Sequence, residues 1–226
     1  MKRSRINEII LSADAFIRGH GFILPPFAYW TPEDWQKKGP EVAEIPTNSL
    51  GWDITDFGSG DFDKTGLFLF TVRNGHHAHP NLKPYAEKIM ISEENQVTPM
   101  HFHWSKSEDI INRGGAKLAI ELYQATADEA LDEVTTVAVS VDGVQHQFKP
   151  GTILELEPGE SITLTPRLYH RFWGAGGRVL IGEVSAVNDD HKDNRFLLSQ
   201  GRFPTIEEDA EPIHLLVEDY KRYYRA

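Results

Sequence analysis

Thr98-Pro99-Met100-His101-Phe102-His103-Trp104-Ser105-Lys106-Ser107-Glu108 is the stretch that decides how this 226-residue chain folds and what chemistry it carries. Side chains alternate faces along a strand, so His101 and His103 point one way while Met100, Phe102 and Trp104 point the other. Glu108 follows after a loop or strand end, close enough to return a carboxylate to the same point. A fourth donor is available from His170, in Pro166-Arg167-Leu168-Tyr169-His170. Divalent transition metals favour imidazole and carboxylate donors, so His101, His103, Glu108 and His170 are the candidate metal ligands. The competing reading makes His-X-His two half-buried polar side chains with hydrogen-bond partners. The carboxylate spacing and the later histidine favour the metal.

Outward from this segment, short apolar or alternating runs separated by turn residues predict many strands and little helix. The expected strands are Thr65–Val72, Tyr85–Ile91, Val97–Trp104, Ala116–Tyr123, Thr135–Val141, Val144–Phe148, Thr152–Leu156, Ser161–Thr165 and Arg178–Ala186. Asp142-Gly143 reads as a hairpin turn needing positive φ at both positions, and Pro158-Gly159 as a further turn. Strands this numerous and closely spaced suggest an all-β sandwich or closed barrel. N-terminal to it, Ile6, Ile9, Ile10, Ala13, Phe16 and Ile17 recur at helical spacing until Gly19. Thr31-Pro32-Glu33-Asp34 starts a second, short helix. Ile213, Leu215, Leu216 and Tyr220 suggest a last helix after Pro212. The expectation is one domain over 1–226, with 1–60 a helical extension packed on the barrel.

Composition narrows the function. With 34 acidic and 23 basic residues the net charge is −11, which disfavours nucleic acid and anionic membrane but not a small neutral substrate. The absence of cysteine excludes disulfides and thiolate metal ligands. Glu8 and Asp14 interrupt what would be the apolar core of an export signal, so a cytoplasmic protein is expected.

The pattern His101-X-His103-X4-Glu108-X6-Gly115 resembles the first metal motif of the cupin superfamily, and His170 resembles the histidine of its second motif. Asn95 replaces the glycine often found six residues before the first histidine, and asparagine also tolerates a left-handed backbone. In the second motif Arg167 stands in place of the expected glycine, and Pro166 lies one place closer to His170 than usual. Over nearly its whole length, including Gly182-Glu183-Val184-Ser185 and Val187-Asn188-Asp189-Asp190, the chain resembles the D-lyxose isomerases. That resemblance implies a cupin-type β-barrel, a manganese-type divalent ion with zinc, cobalt or iron as substitutes, and interconversion of D-lyxose with D-xylulose and of D-mannose with D-fructose. It also implies a homodimer, because a second subunit commonly covers cupin strand edges.

Aldose–ketose isomerisation moves a proton between adjacent carbons, which calls for a base beside the metal. Glu183 is the candidate, because Val179, Ile181, Glu183 and Ser185 share a strand face and an acid among apolar residues is expensive to bury. Lys106 is a candidate catalytic and substrate-binding cation, and Asp190, ahead of Asp189, a candidate for sugar hydroxyls. His76, His77 and His79 read as a solvated or oligomer-contact loop, His146 and His191 as structural, and Trp104, Phe172 and Trp173 as core aromatics. Two other functions fit a cupin with these ligands: an iron-dependent dioxygenase and a non-catalytic sugar-binding module.

Overall fold

Among the described residues, the alternating runs from residue 51 onward fold into twelve strands, linked by hydrogen bonds into one system. The computed structural model describes residues 1–76, 78, 83–189, 192–201 and 204–225. In chain order the strands are β1 (Gly51–Thr55), β2 (Leu67–Arg73), β3 (Tyr85–Ser92), β4 (Thr98–Phe102), β5 (Glu108–Ala125), β6 (Leu131–Asp132), β7 (Val137–Val141), β8 (Val144–Phe148), β9 (Thr152–Leu156), β10 (Ser161–Leu164), β11 (Leu168–Ala186) and β12 (Arg195–Phe196). Among the described residues, α1 (Arg3–Gly19) and the single-turn helices α2 (Pro32–Trp35) and α3 (Glu44–Thr47) precede the strands, and α4 (Tyr220–Tyr223) follows them.

Strands β5 and β11 are 18 and 19 residues long, and each serves two sheets. The first half of β5 pairs with the second half of β11, in the layer β1-β2-β3-β11-β5-β10-β7-β8. Their other halves pair again in a second layer, where β4 pairs with β11 and β12 with β4, while β6 and β9 pair with β5. The bend between layers falls where Gly114, Gly115, Gly176 and Gly177 take positive φ and the β5–β11 register shifts. Glycine adopts that backbone without a Cβ penalty. Inward residues of both layers, among them Leu69, Ile110, Leu118, Ile120, Phe172 and Ile181, form the core between them. This is the expected all-β, cupin-type barrel.

A second apolar cluster lies outside the first layer. There Ile6, Ile10, Ala13 and Ile17 of α1 pack with Trp52, Phe68, Phe70 and Ile91. Thr31 caps α2, its hydroxyl accepting from Asp34 N while the Asp34 carboxylate accepts from Thr31 N. No helix among the described residues is long and apolar enough to cross a membrane.

Several expected bounds move. β5 begins at Glu108 rather than Ala116 and β11 at Leu168 rather than Arg178, because strand-poor residues such as Asn112, Gly114 and Gly177 are carried through the bends by pairing on both sides. Gly51–Thr55, placed in the helical extension, is a strand instead. The last helical segment starts not after Pro212 but as a 3-10 turn over Val217–Asp219 that runs into α4. Asp142 and Gly143 both have positive φ as the hairpin requires, and Asn95 and Arg167, standing at glycine positions of the motifs, take φ of 59° and 64°.

Candidate metal and catalytic site

His101 ends on β4 directly opposite His170 of β11, so one cross-strand pair supplies two imidazoles. His103 follows the end of β4, and Glu108 opens β5 opposite Ser185. All four side chains are buried. The Nδ1 of each histidine faces a backbone carbonyl: Pro99 at 2.7 Å from His101, Asp193 at 2.8 Å from His103 and Leu168 at 3.0 Å from His170. A carbonyl only accepts, so each Nδ1 carries the proton and each Nε2 turns a lone pair inward. The candidate donor atoms of the three histidines lie within 4.8 Å of one another.

The inner end of this cluster lacks donors. Glu108 Oε1 sits 3.3 Å from both His103 Nε2 and His170 Nε2, yet Glu108 Oε1 and His170 Nε2 have no hydrogen-bond partner. Lone pairs facing lone pairs in a buried site are costly unless a cation lies between them. A divalent ion fits this donor set. The same burial, reinforced by His170 and His103, holds the His101 imidazole well below its usual range, which keeps it neutral. Burial alone would raise Glu108, but the Lys106 ammonium outweighs it and holds the carboxylate well below its usual range.

Beside the cluster, Lys106 Nζ lies 2.7 Å from Glu108 Oε2 and donates to Glu183 Oε1 at 2.9 Å. Glu183 is 4% exposed on the inward face of β11, where its Oε1 also accepts from Ser185 Oγ at 3.0 Å. Burial would push it up, yet Lys106 and then Lys88 bring it below the usual carboxylate range. Lys88 stands opposite Glu183 on β3; its Nζ approaches Glu183 Oε2 at 3.4 Å and Asn188 Oδ1 at 2.7 Å. The candidate ligands, Lys106, Glu183 and Lys88 line one cavity of about 340 Å³, within the usual range for small-molecule sites.

His101, His103, Glu108, His170, Lys106 and Glu183 thus converge. Asp190 lies outside the described residues, as do His77, His79 and His191. His76 lines a different cavity, beside Asn74 and Asn188. His146 is exposed on β8 and does not line the cavity, Trp104 is 41% exposed rather than core, and Phe172 is buried and lines the site. Sequence reasoning missed Lys88, Asn188 and Asp193. Lys88 had a signal, since it shares the inward face of β3 with Ala86 and Met90, as Glu183 does on β11. Asp193 had none: its carboxylate accepts from Ser105 N and Lys106 N, both at 2.9 Å, and so fixes the loop that carries Lys106.

The family model of the D-lyxose isomerases matches residues 1–220. The chain belongs to the D-lyxose isomerase family. As a member it is a sugar isomerase. A D-lyxose/D-mannose isomerase of Serratia proteamaculans is 50% identical over 227 residues, covering 99% of each chain. One of Escherichia coli O157:H7 is 46% identical over 227 residues, covering 99% of this chain and 100% of that one. Among solved structures, a mutant L-ribose isomerase of Acinetobacter sp. DL28 in complex with L-ribose superposes with a TM-score of 0.62 at 11% identity, over 92% of this chain and 98% of the other. The L-ribose isomerase of Cellulomonas parahominis with L-ribose gives 0.59 at 14% identity, over 92% and 98%. At such identities the likeness supports the barrel of this D-lyxose isomerase family member and nothing finer.

Proposed function

We propose that this chain interconverts D-lyxose with D-xylulose, and D-mannose with D-fructose, by metal-dependent proton transfer, with His101, His103, Glu108 and His170 as ligands. The observation that carries the reading is the donor-free cluster of Nε2 and carboxylate lone pairs sharing one cavity with the Lys106–Glu183 pair. The names of the Serratia and Escherichia relatives support these substrates. A divalent ion held there supplies Lewis-acid stabilisation to adjacent sugar oxygens. Manganese suits a mixed imidazole and carboxylate set that leaves positions for oxygen.

Glu183 is the base. Its carboxylate takes the proton from C2 of the open-chain aldose; the C–H electron pair becomes the C1=C2 bond of an enediol, and the carbonyl pair moves onto O1. Return of the proton to C1, with transfer of a proton from O2 to O1, gives the ketose. Lys106 presents its ammonium where that oxyanion charge develops. Lys106 is the cation that most lowers Glu183, so the same ammonium couples the basicity of the carboxylate to the charge on the sugar. The open edge of β8, where Val144 is 59% exposed, supports a homodimer.

The test is conversion of D-lyxose and D-mannose by metal-stripped protein with and without Mn(II), in deuterated water. Ketose formed only with metal is the expected result, carrying deuterium at C1 in the fraction of turnovers in which the proton on Glu183 exchanges with solvent before its return. Full conversion by stripped protein, or no conversion of any aldose, overturns the reading.

A further inference from the structure

Thr98 opens β4 and is 2% exposed, yet its hydroxyl has no hydrogen-bond partner. Its side chain lines the same cavity as the three imidazoles, Lys106 and Glu183. Strict alternation would turn it outward with Met100 and Phe102, away from His101. The pairing with β11 shows why it does not. His101 lies opposite His170 and Thr98 opposite Phe172, so three steps on β4 match two on β11, with a register shift between them. One extra residue is therefore inserted on β4. Such a bulge re-aims side chains, and this one brings both Thr98 and His101 onto the inward face. It also frees the Pro99 carbonyl, inside the bulge, to accept from His101 Nδ1 at 2.7 Å.

A valine would fill the same volume, suit the strand equally well and leave no orphaned hydroxyl. A buried hydroxyl without a partner beside a ligand cavity points to a partner that arrives with the ligand. From the proposed isomerase reading, on which this rests, we infer that Thr98 is a specificity-determining residue that hydrogen-bonds a sugar hydroxyl beyond the two reacting carbons. The reacting end lies at the imidazoles, and Thr98 stands three residues along the strand, at most on the order of 10 Å away by strand rise. An open-chain pentose held by its reacting carbons at the imidazoles is long enough for C3 to C5 to span that separation. The hydroxyl is shielded from solvent. Rotation of χ1 between staggered positions exchanges it with the γ-methyl and offers it to the sugar.

The experiment compares wild type, Thr98→Val and Thr98→Ser by thermal melting and by kcat/KM on D-lyxose and on its 3-deoxy, 4-deoxy and 5-deoxy analogues. Thr98→Val should melt no lower than wild type, because it removes a hydroxyl with no partner. It should lose about ten-fold in kcat/KM on D-lyxose, the size of one hydrogen bond, while Thr98→Ser keeps most of the activity. With one of the three deoxy sugars wild type and Thr98→Val should be equal, which names the hydroxyl. Unchanged kcat/KM of Thr98→Val on D-lyxose overturns the inference while leaving the isomerase reading intact. So does an equal loss on D-lyxose and all three analogues, the mark of a purely structural residue. A wild type that converts no aldose removes the isomerase reading and this inference together.

Discussion

Glu183 is a carboxylate held below its usual range by two lysines, Lys106 on the loop between β4 and β5 and Lys88 on β3. Glu183→Gln keeps the shape of the side chain and removes the proton acceptor, so bound metal should remain while kcat falls about 10²–10⁴-fold, the usual worth of a positioned base. Metal analysis beside turnover checks this, and undiminished turnover would strip Glu183 of its role. His103→Ala should behave differently, losing metal and activity together, because its Nε2 is one of the cluster donors. Lys88 gives a pH-dependent readout. It is the second cation lowering Glu183, while burial, which raises it, remains when the lysine is removed. In Lys88→Met the carboxylate takes up its proton at higher pH, so the acid limb of kcat/KM against pH should move upward. A profile superposing on that of wild type would show that Lys88 does not act on the base.

Strands β5 and β11 reach both layers only because they bend at glycines. Gly115 has φ of +90°, and an added Cβ would lie 2.4 Å from the Arg178 carbonyl oxygen on the facing strand. Left-handed strain and overpacking then act together, so Gly115→Ala should destabilise the protein by about 2–4 kcal/mol in urea unfolding. A change within 0.5 kcal/mol would mean the bend relaxes freely. At this scale the sequence was legible where periodicity is strict. Val144–Phe148 and Thr152–Leu156 match their expected bounds to the residue, whereas Glu108–Gly115, with Asp109, Asn112 and Arg113, carries no strand pattern. Those residues are extended because Ser161–Leu164 and β11 pair with them on either side.

Across the whole molecule, the two ends of the chain are stitched together. Arg3 is fully buried and donates to both oxygens of Asp219 at 2.9 and 2.8 Å and to Glu208 at 2.8 and 2.9 Å. The uncapped start of α1 is completed by the same segment, with Arg3 N bonded to Glu207 O and Ser4 N to Asp209 Oδ1. Asp219→Ala leaves the buried guanidinium half-paired and should cost about 3–5 kcal/mol, while turnover per folded molecule stays unchanged, because neither residue lines the catalytic cavity. Equilibrium unfolding with activity measured on folded protein checks both parts. Arg3 also holds Glu208 below the usual carboxylate range, chiefly through their hydrogen bonds. A depressed carboxylate stabilises the fold above its unfolded value and loses that contribution as pH falls through its folded one. Stability from this pair should therefore decline from about pH 4.3 downward, and an Arg3→Met protein should lack that part of the acid dependence.

What the sequence determined by itself was the alternation that makes a β-barrel, the helical stripe that packs α1 outside it, and the His101, His103 and Glu108 spacing that marks a candidate metal site. Each is a local pattern, written in residues a few positions apart. Tertiary structure alone decided that Lys88, Asn188 and Asp193 join the site, that the β4 bulge turns Thr98 inward, and that Arg3 closes the chain ends. Those facts depend on which distant strand lies alongside and in what register. A one-residue shift in register reverses every side chain it touches.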